Sequence, residues 1–196
     1  MPKAVQLQHD QYYYHYPAVA TIVTSHADGN DNAMAVAWHT AISREPPIYG
    51  VSISPKRYTH GLIVASGEFV VNFVPWEKRE LVAKVAGCSG REVQKFQAFG
   101  IAVASGKAVQ VPVLADAYAA YECRVMEQRV MGDHDLFVGS IVAVHWNGET
   151  LNKGNMLDPE QAHPVLYLGG DCYATAKGNV LLDRVALAKA AAGAVR

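Results

Sequence analysis

The longest strand pattern in the chain is a hairpin, and it restricts the possible folds more than any other feature. Residues 121–130 and 136–146 alternate in the manner of β-strands, and Gly132-Asp133 between them forms a turn. The second strand carries apolar side chains on both faces, with Leu136, Val138, Val142, Val144 and Trp146 on one and Phe137, Ile141 and Ala143 on the other. Such a strand suits a barrel that is packed inside and covered by helices or a partner outside.

The remaining elements are short and closely spaced. A second hairpin is predicted from residues 19–25 and 32–38 around a turn at 27–30, and further strands at 48–53, 68–74 and 165–168. Helices are predicted at 58–66, 77–86, 92–99 and 181–195, and an irregular loop ends at Pro46-Pro47. About seven strands with mostly hairpin-length links favour a mainly β, antiparallel barrel with flanking short helices over a parallel α/β sheet.

Composition places the chain among compact soluble proteins. Its 196 residues are 51% hydrophobic and 18% charged, which allows a sizeable core and predicts one domain over 1–196, with two small domains as the alternative. The net charge of −1 argues against a nucleic-acid partner. We find no apolar leader and no run of transmembrane length, so we expect no membrane partner.

The cysteines indicate a reducing compartment. Cys88, Cys123 and Cys172 are odd in number and far apart, and they form neither a CxxC pair nor a zinc pattern with histidines. We therefore expect free thiols in a cytoplasmic protein, with no part in nucleophilic catalysis.

Residues 54–59 form a candidate anion site at the point where a strand leads into a helix. A helix start offers unpaired backbone N–H groups and a positive dipole end, and Arg57 adds charge. Ser54 and Thr59 supply hydroxyls that can bind a phosphate oxygen. The alternative is a solvated basic turn in which Thr59 is an ordinary N-cap, and Lys56 is expected to be solvated surface in either case.

Asn32 and Trp38 flank a predicted strand of small and apolar residues, 33–37. Small side chains let a flat ligand approach the backbone, and Trp38 offers a ring face on which it can stack. The alternative is a tryptophan that belongs to the core. The aromatic segment before this hairpin, residues 12–17, carries four tyrosines and a histidine, but its pattern predicts no function of its own.

Three more polar residues are candidates for the same ligand. Ser89 precedes a glycine at the predicted start of helix 92–99 and could add an anion contact, which Lys95 would reach from one turn inside that helix. A capped helix with an exposed lysine is the alternative. His134 lies at the predicted hairpin tip, where it could contact a ligand or carry a proton. The alternative is an ordinary surface histidine in a turn. Because His134 and His145 are an odd number of residues apart on one strand, we predict no metal site.

Taken in order, these segments resemble a known family over residues 17–178. They are Asn32-Ala33-Met34 with Trp38, Ser43 with Pro46-Pro47, Ser54-Pro55-Lys56-Arg57-Tyr58-Thr59, Gly67-Glu68-Phe69-Val70-Val71-Asn72, Ser89-Gly90-Arg91 with Lys95-Phe96, Gly132-Asp133-His134 with Phe137-Val138-Gly139, and Pro164-Val165-Leu166-Tyr167-Leu168-Gly169-Gly170. The chain resembles the flavin reductase-like, FMN-binding split-barrel family, most closely its flavoredoxin branch. The tail at 181–196 lies outside the resemblance, either packed on a partner subunit or exposed.

The resemblance implies a homodimeric split barrel with one FMN per subunit near the interface. It implies flavin contacts by Asn32, Trp38, Thr59, Lys95, His134 and Tyr167, and phosphate-side roles for Ser54, Arg57 and Ser89. Tyr167 stands where the family commonly has phenylalanine. For His134, the resemblance implies contact with the flavin or positioning of the nicotinamide rather than general acid catalysis.

The function expected from the resemblance is an FMN-dependent reductase that takes electrons from NAD(P)H and passes them to free flavin or another small acceptor. A flavoredoxin-type carrier that passes electrons to another protein, and a flavin-free binding module on the same barrel, are the alternatives. The sequence carries neither a Walker A motif nor a GxGxxG after a strand. It therefore does not distinguish NADH from NADPH, and it does not identify the acceptor.

Overall fold

The computed structural model describes residues 13–152 and 156–178, together with residues 3, 5, 7, 180 and 184. Its strands are β1 (Ala18–Val19), β2 (Thr21–Ala27), β3 (Asn30–Val36), β4 (His39–Ser43), β5 (Ile48–Ile53), β6 (Glu68–Phe73), β7 (Val103–Ala104), β8 (Val113–Leu114), β9 (Ala119–Met131), β10 (His134–Trp146), β11 (Val165–Gly169) and β12 (Cys172–Thr175). Its helices are α1 (Tyr58–Ser66), α2 (Arg79–Ala86), α3 (Lys95–Ala98) and α4 (Pro159–Ala162), with 3₁₀ turns at Trp76–Lys78 and Gly148–Thr150.

A seven-stranded antiparallel sheet dominates the fold. Its strand order is β3-β2-β6-β9-β10-β5-β4, and separate small sheets join β1-β11-β12 and β7-β8. His134 lies opposite Met131, which confirms the predicted long hairpin and its turn at 132–133. Only Ala37 and Trp38 separate β3 from β4, so the sheet must curl to bring its two edge strands close together. Because β3 and β4 nevertheless remain edge strands, the mainly β fold is a split barrel, as predicted.

The concave side of the sheet holds the main core. Val23, Val51, Ile53, Phe69 and Phe137 have no exposed surface, and each contributes roughly 1.5–3 kcal/mol by its burial. Helix α1 closes this side by burying Thr59, Leu62 and Ile63, whose spacing puts them on one helix face. Gly67 ends the helix at a φ of +69°, and its N–H donates to the carbonyl of Ile63.

A second apolar cluster covers the convex side of β2 and β3. Ile22 and Ala33 pack there against Val82 and Val85 of α2 and Val165 of β11. Because Asn32 faces Thr59 of α1 while Ala33 faces α2, the edge strand β3 is held between the two helices. This arrangement exposes one backbone edge of β3 in the space between the start of α1 and the end of α2.

Two element predictions were wrong, and several short elements were not predicted. The loop before Pro46-Pro47 contains β4, in which Thr40 to Ile42 are exposed, so no apolar alternation indicates a strand. The helix predicted at 92–99 is limited to α3, because Ser89 begins a turn whose carbonyl accepts the N–H groups of Glu92 and Val93. The elements that were not predicted are β7, β8, β12 and α4. The predicted helix 181–195 lies outside the described residues, apart from Arg184.

The prediction that one face of β10 runs unbroken from Leu136 to Trp146 was wrong. Phe137 is fully buried in the main core, whereas Val142, Val144 and Trp146 are 37%, 47% and 61% exposed. A register shift between Ile141 and Ala143 breaks the alternation, so Val144 lies opposite Tyr121 and, with Trp146, borders a cavity beside Phe73. No helix among the described residues covers these three side chains. Nor is any of the described helices long and apolar enough to cross a lipid bilayer.

Candidate functional site

A buried hydrogen bond joins β3 to the first turn of α1. Nδ2 of Asn32 donates to Oγ1 of Thr59 at 2.7 Å, and the two residues are only 2% and 1% exposed. Oδ1 of Asn32 is also buried, yet it has no hydrogen-bond partner among the described residues. Because a buried polar atom without a partner costs about 1–3 kcal/mol, this oxygen marks a place where a ligand donor would be stabilising.

The start of α1 does not depend on a side-chain cap. Arg57 is the N-cap residue, with an extended backbone and no capping hydrogen bond from its side chain. Thr59 lies inside the helix and accepts from Asn32, so the alternative that Thr59 is the N-cap is wrong. The first N–H groups of the helix and the exposed Arg57 guanidinium are therefore available to an anion.

A cavity of about 370 Å³ lies between the start of α1 and the segment that follows α2. Its wall includes five residues that the sequence analysis singled out: Asn32, Arg57, Thr59, Ser89 and Lys95. It also includes Lys56, which was expected to be ordinary surface, and Met34, Tyr58, Cys88, Gly90 and Glu92, which were not proposed as site residues. Three cations against one carboxylate give this cavity a net positive charge.

Lys95 is the most deeply buried charge in the cavity wall. It is 3% exposed, and its Nζ donates to the carbonyl oxygens of Ala33 at 2.9 Å and Val85 at 2.7 Å. Burial lowers the pKa of the Lys95 ammonium, and nearby Arg57 lowers it further, while Cys88 has the opposite effect. Since a bound anion would favour the protonated amine, this lysine suits a negatively charged ligand.

Gly90 brings the segment after α2 close to the Asn32 amide. A Cβ atom at this position would lie 2.2 Å from Oδ1 of Asn32 and 2.7 Å from Cδ1 of Tyr58. The next residue ties the two walls together, because Arg91 donates to the carbonyl of Lys56 at 3.2 Å and lies over the Tyr58 ring. Position 90 therefore has no room for a side chain unless Asn32 or Tyr58 moves, and only glycine fits there.

The two serines support turns on opposite sides of the cavity. Oγ of Ser89 accepts the N–H of Arg91 at 3.2 Å, and Ser89 itself lines the cavity. The carbonyl of Ser54 accepts the N–H of Arg57 at 2.9 Å. Ser54 is buried behind the wall of the cavity, so it shapes the turn from which Arg57 projects.

The remaining predicted residues form an aromatic arc that continues from the cavity. A second cavity of about 170 Å³ shares Ala35 with the first and is lined by Ala37 and Tyr167. Trp38 follows directly, and its ring packs on His134 with centroids 4.9 Å apart. Nδ1 of His134 is 2.8 Å from Oδ1 of Asp133 at the hairpin tip. One side of the barrel thus carries four of the predicted site residues: Asn32, Trp38, His134 and Tyr167.

Tyr16 also belongs to this arc, although no sequence motif singled it out. Nε1 of Trp38 donates to the Tyr16 hydroxyl at 3.1 Å, and the Tyr16 ring meets the edge of Tyr167 at 5.3 Å. The aromatic segment 12–17 was the available signal, but its sequence does not show which ring turns inward.

The arrangement suits an anionic ligand that carries a flat ring. Cations and helix N–H groups surround one end, and the small residues of an edge strand lead to the packed rings of Trp38 and His134 at the other. In the part of the chain that the structure describes, no group of three or more His, Cys, Asp and Glu side chains is arranged to hold a metal ion.

Comparison with known protein families agrees with the family resemblance found in the sequence. The model of the family described as "Flavin reductase like domain" matches residues 13–176, which include every residue of the site. The chain belongs to the flavin reductase-like family. The resemblance identified from the sequence is thereby confirmed.

This flavin reductase-like protein has a sequence relative in Aeropyrum pernix. An uncharacterized protein of Aeropyrum pernix is 32% identical over 155 residues, which are 79% of this chain and 58% of that protein. The chain thus spans less than two thirds of the length of that relative.

Solved structures share its fold. The structure of an FMN-binding protein from Thermus thermophilus with bound 1-cyclohex-2-enone superimposes with a TM-score of 0.83 at 35% identity, over 93% of this chain and 99% of that one. A flavoredoxin from Methanosarcina acetivorans has the same fold, with a TM-score of 0.83 at 24% identity, over 93% of this chain and 96% of that one.

Proposed function

We propose that this chain binds FMN at the cationic cavity and the adjoining edge of β3, and that it acts as an NAD(P)H-dependent flavin reductase. The observation that carries the proposal is the buried Asn32–Thr59 pair, which leaves the Asn32 oxygen unpartnered, at the wall of a cavity that cations also line: Lys56, Arg57 and Lys95. A ligand that fits must offer a hydrogen-bond donor and an anion together. FMN has both, in its ribityl and ring N–H or O–H groups and its phosphate.

The phosphate fits the end of the cavity at the start of α1. Arg57 and Lys56 supply charge there, Thr59 and Ser89 supply hydroxyls, and the first turn of α1 supplies N–H groups. Since a hydrogen bond to a charged group contributes roughly 1.5–3 kcal/mol, a few such contacts are sufficient for micromolar binding or tighter.

The ring system fits along β3. The side chains of Ala35 and Ala37 are small, so a flat ring reaches the backbone of this edge strand, whose outer N–H and C=O groups pair with no other strand among those described. The rings of Trp38 and His134, which pack on each other at a tilt of 49°, lie at the end of this strand. The similarity to the FMN-binding protein of Thermus thermophilus, at 35% identity over nearly the full length of both chains, supports this assignment.

Bound FMN would supply the redox chemistry, because a flavin can accept a hydride from a nicotinamide and release electrons singly or in pairs. The residues of this chain bind the phosphate, hold the ring against β3 and position the nicotinamide near His134. Hydride transfer depends mainly on proximity and orientation, so no side chain is required as an acid or base. For the same reason we assign His134 a positioning role only.

The uncovered face of β10 supports a homodimer. Val142, Val144 and Trp146 present an apolar surface on one of the two longest strands, and the described residues of a single chain leave it exposed. Contiguous exposed apolar residues on a soluble protein commonly mark an interface. The resemblance to a family whose members are homodimers supports a second copy of this chain as the occupant.

Free thiols support a cytoplasmic location. Cys88, Cys123 and Cys172 are all unpaired, and Cys123 is buried in the main core. Burial raises the pKa of the Cys123 thiol to about 12, so this cysteine stays protonated and unreactive. Unpaired cysteines are typical of proteins kept in a reducing compartment.

One set of spectra tests the proposed activity. Purified protein should bind FMN and be yellow, and anaerobic NADH or NADPH should bleach the flavin in a stopped-flow experiment. Protein that stays colourless and does not quench the fluorescence of added FMN would refute flavin binding. Protein that binds FMN but is bleached by neither nucleotide would instead refute the reductase and favour the flavoredoxin-type carrier.

A further inference from the structure

The described part of the aromatic segment, residues 13–17, lies next to the proposed flavin site. Strand β1 pairs with β11 so that Ala18 lies opposite Tyr167, and Tyr16, two residues earlier, therefore continues alongside β11. The Tyr16 ring is half-buried there and packs on Tyr167, His15 and Tyr13. This segment is thus part of the packed structure beside the second cavity, which Tyr167 lines.

The hydroxyl of Tyr16 accepts the only N–H of the Trp38 side chain. An indole has a single donor and no acceptor, so this 3.1 Å bond, together with packing on His134, determines the orientation of the Trp38 ring. Without it, the ring of Trp38, which is only partly buried, would be free to take another rotamer. Tyr16 is not among the residues that line the cationic cavity.

We propose that Tyr16 is a positioning residue: its hydroxyl holds the Trp38 indole at the ring end of the site, and its own ring joins Tyr167 and Trp38 in one aromatic wall against which a planar ring lies. This inference rests on the proposed function, because the planar ring is that of the flavin. The aromatic wall would thus recognise the flavin ring system. The cationic cavity, which lies between the start of α1 and the segment after α2, would recognise the phosphate.

The substitution Tyr16→Phe tests this role, because it keeps the ring packing and removes only the acceptor. Tyr14→Phe is the matched control, since Tyr14 is 97% exposed in the same segment. In a Trp76→Phe/Trp146→Phe background, Trp38 is the sole tryptophan. We expect Tyr16→Phe, but not Tyr14→Phe, to shift the Trp38 emission of the flavin-free protein and to increase its quenching by acrylamide.

Ligand binding gives the second readout. Loss of one hydrogen bond should weaken the binding of FMN and riboflavin by the same factor, about two- to tenfold, because Tyr16 acts on the ring end and not on the phosphate. In a Trp38→Phe background, Tyr16→Phe should cause no further loss, because the donor is already absent. A purely structural role would lower the thermal stability without this dependence on Trp38.

The outcomes separate this inference from the proposed function. If wild-type protein binds neither FMN nor riboflavin, the proposed function and the ligand part of this inference both fail. If wild-type protein binds both flavins but Tyr16→Phe leaves their dissociation constants unchanged, only the role of Tyr16 fails. A loss in Tyr16→Phe that is larger for FMN than for riboflavin, or unchanged Trp38 emission, overturns it as well.

Discussion

Asn32 and Thr59 are 27 residues apart in the chain, yet a hydrogen bond of 2.7 Å joins their side chains at the centre of the site. This bond ties the edge strand β3 to α1 and turns the Asn32 amide so that its oxygen is left without a partner among the described residues. The pair therefore couples the phosphate end of the site, at the start of α1, to the strand along which the ring would lie.

The first prediction concerns phosphate recognition. Thr59→Ala and Arg57→Ala should weaken FMN about tenfold or more while weakening riboflavin less, because only FMN carries the phosphate. Titration of flavin fluorescence with each variant measures both constants. Arg129→Ala is the control, because Arg129 is exposed and pairs with Glu127, away from the cavity. Equal losses for the two flavins would show that Thr59 and Arg57 do not contact the phosphate.

A second prediction follows from the space at Gly90. Gly90→Ala should reduce FMN affinity at least about tenfold, because the new Cβ would push against the Asn32 amide and the Tyr58 ring. Gly61→Ala on α1 is the matched control, since nothing lies within 4 Å of its Cβ position. That change should leave affinity unaltered and raise helix stability by about 0.5–1 kcal/mol. Wild-type affinity in Gly90→Ala would mean that the ligand does not use this part of the cavity.

The third prediction concerns the buried ammonium of Lys95. Lys95→Met should lower the free energy of unfolding of the flavin-free protein by about 2 kcal/mol, because the carbonyls of Ala33 and Val85 lose their donor. Lys84→Met on the exposed face of α2 should change stability by less than about 0.5 kcal/mol. Urea unfolding monitored by circular dichroism makes the comparison. Similar stability of the two variants would contradict the structural part of the role of Lys95.

We expect the buried carboxylate of Glu122 to make a pH-dependent contribution to the stability of the fold. Burial raises the pKa of this carboxyl, but the backbone N–H groups of residues 107–109 and the side chain of His145 all donate to it and outweigh that effect, so its pKa is lowered. A carboxylate whose pKa is lowered on folding stabilises the protein above its unfolded pKa of 4.5, and this stabilisation disappears as the pH falls through the folded value.

Glu122→Gln should therefore destabilise the protein by about 2 kcal/mol at neutral pH and by progressively less below pH 4.5. Urea titrations from pH 7 downward measure this difference. Glu127→Gln, at an exposed carboxylate on the same strand, should change stability little at any pH. A difference between wild type and Glu122→Gln that does not depend on pH would contradict the interpretation.

The last prediction concerns the apolar face of β10. Trp146→Lys should shift the protein from dimer to monomer in sedimentation velocity, because a charge would then lie within an apolar interface. Val64→Lys, at an exposed position on α1, is the control and should leave the dimer intact. A wild-type protein that sediments as a monomer at micromolar concentration would show that this face is not a dimer contact.

Local patterns were sufficient to predict most of the barrel. Strands β5, β6, β9 and β10 and helices α1 and α2 follow from alternation, helical spacing, and the turns at Gly67 and 132–133. Exposed β4 has no such pattern, since it is a strand only because β5 supplies its hydrogen bonds. The shortened helix α3 shows the same limit, because the turn after Ser89 uses residues that have helical spacing.

The site, like the fold, was predictable from the sequence only in part. Arg57, Thr59, Ser89 and Lys95 were recognisable by residue type near helix starts, and Asn32 and Trp38 by the small residues between them. Residue type did not reveal that Lys95 would be buried against two carbonyls, or that Gly90 would touch the Asn32 amide. These features depend on segments that are distant in sequence and become neighbours only when α1 and α2 pack on either side of β3.

The sequence by itself determined the element types, the long hairpin, the family, and the residues able to bind an anion and a flat ring, because periodicity and residue chemistry are local properties. The tertiary structure decided which of those residues meet. It leaves the oxygen of Asn32 unpartnered, closes one wall with Gly90, and places Tyr16 on Trp38. Those contacts arise from the curl of the sheet and the pairing of β1 with β11, which join parts of the chain that no local pattern connects.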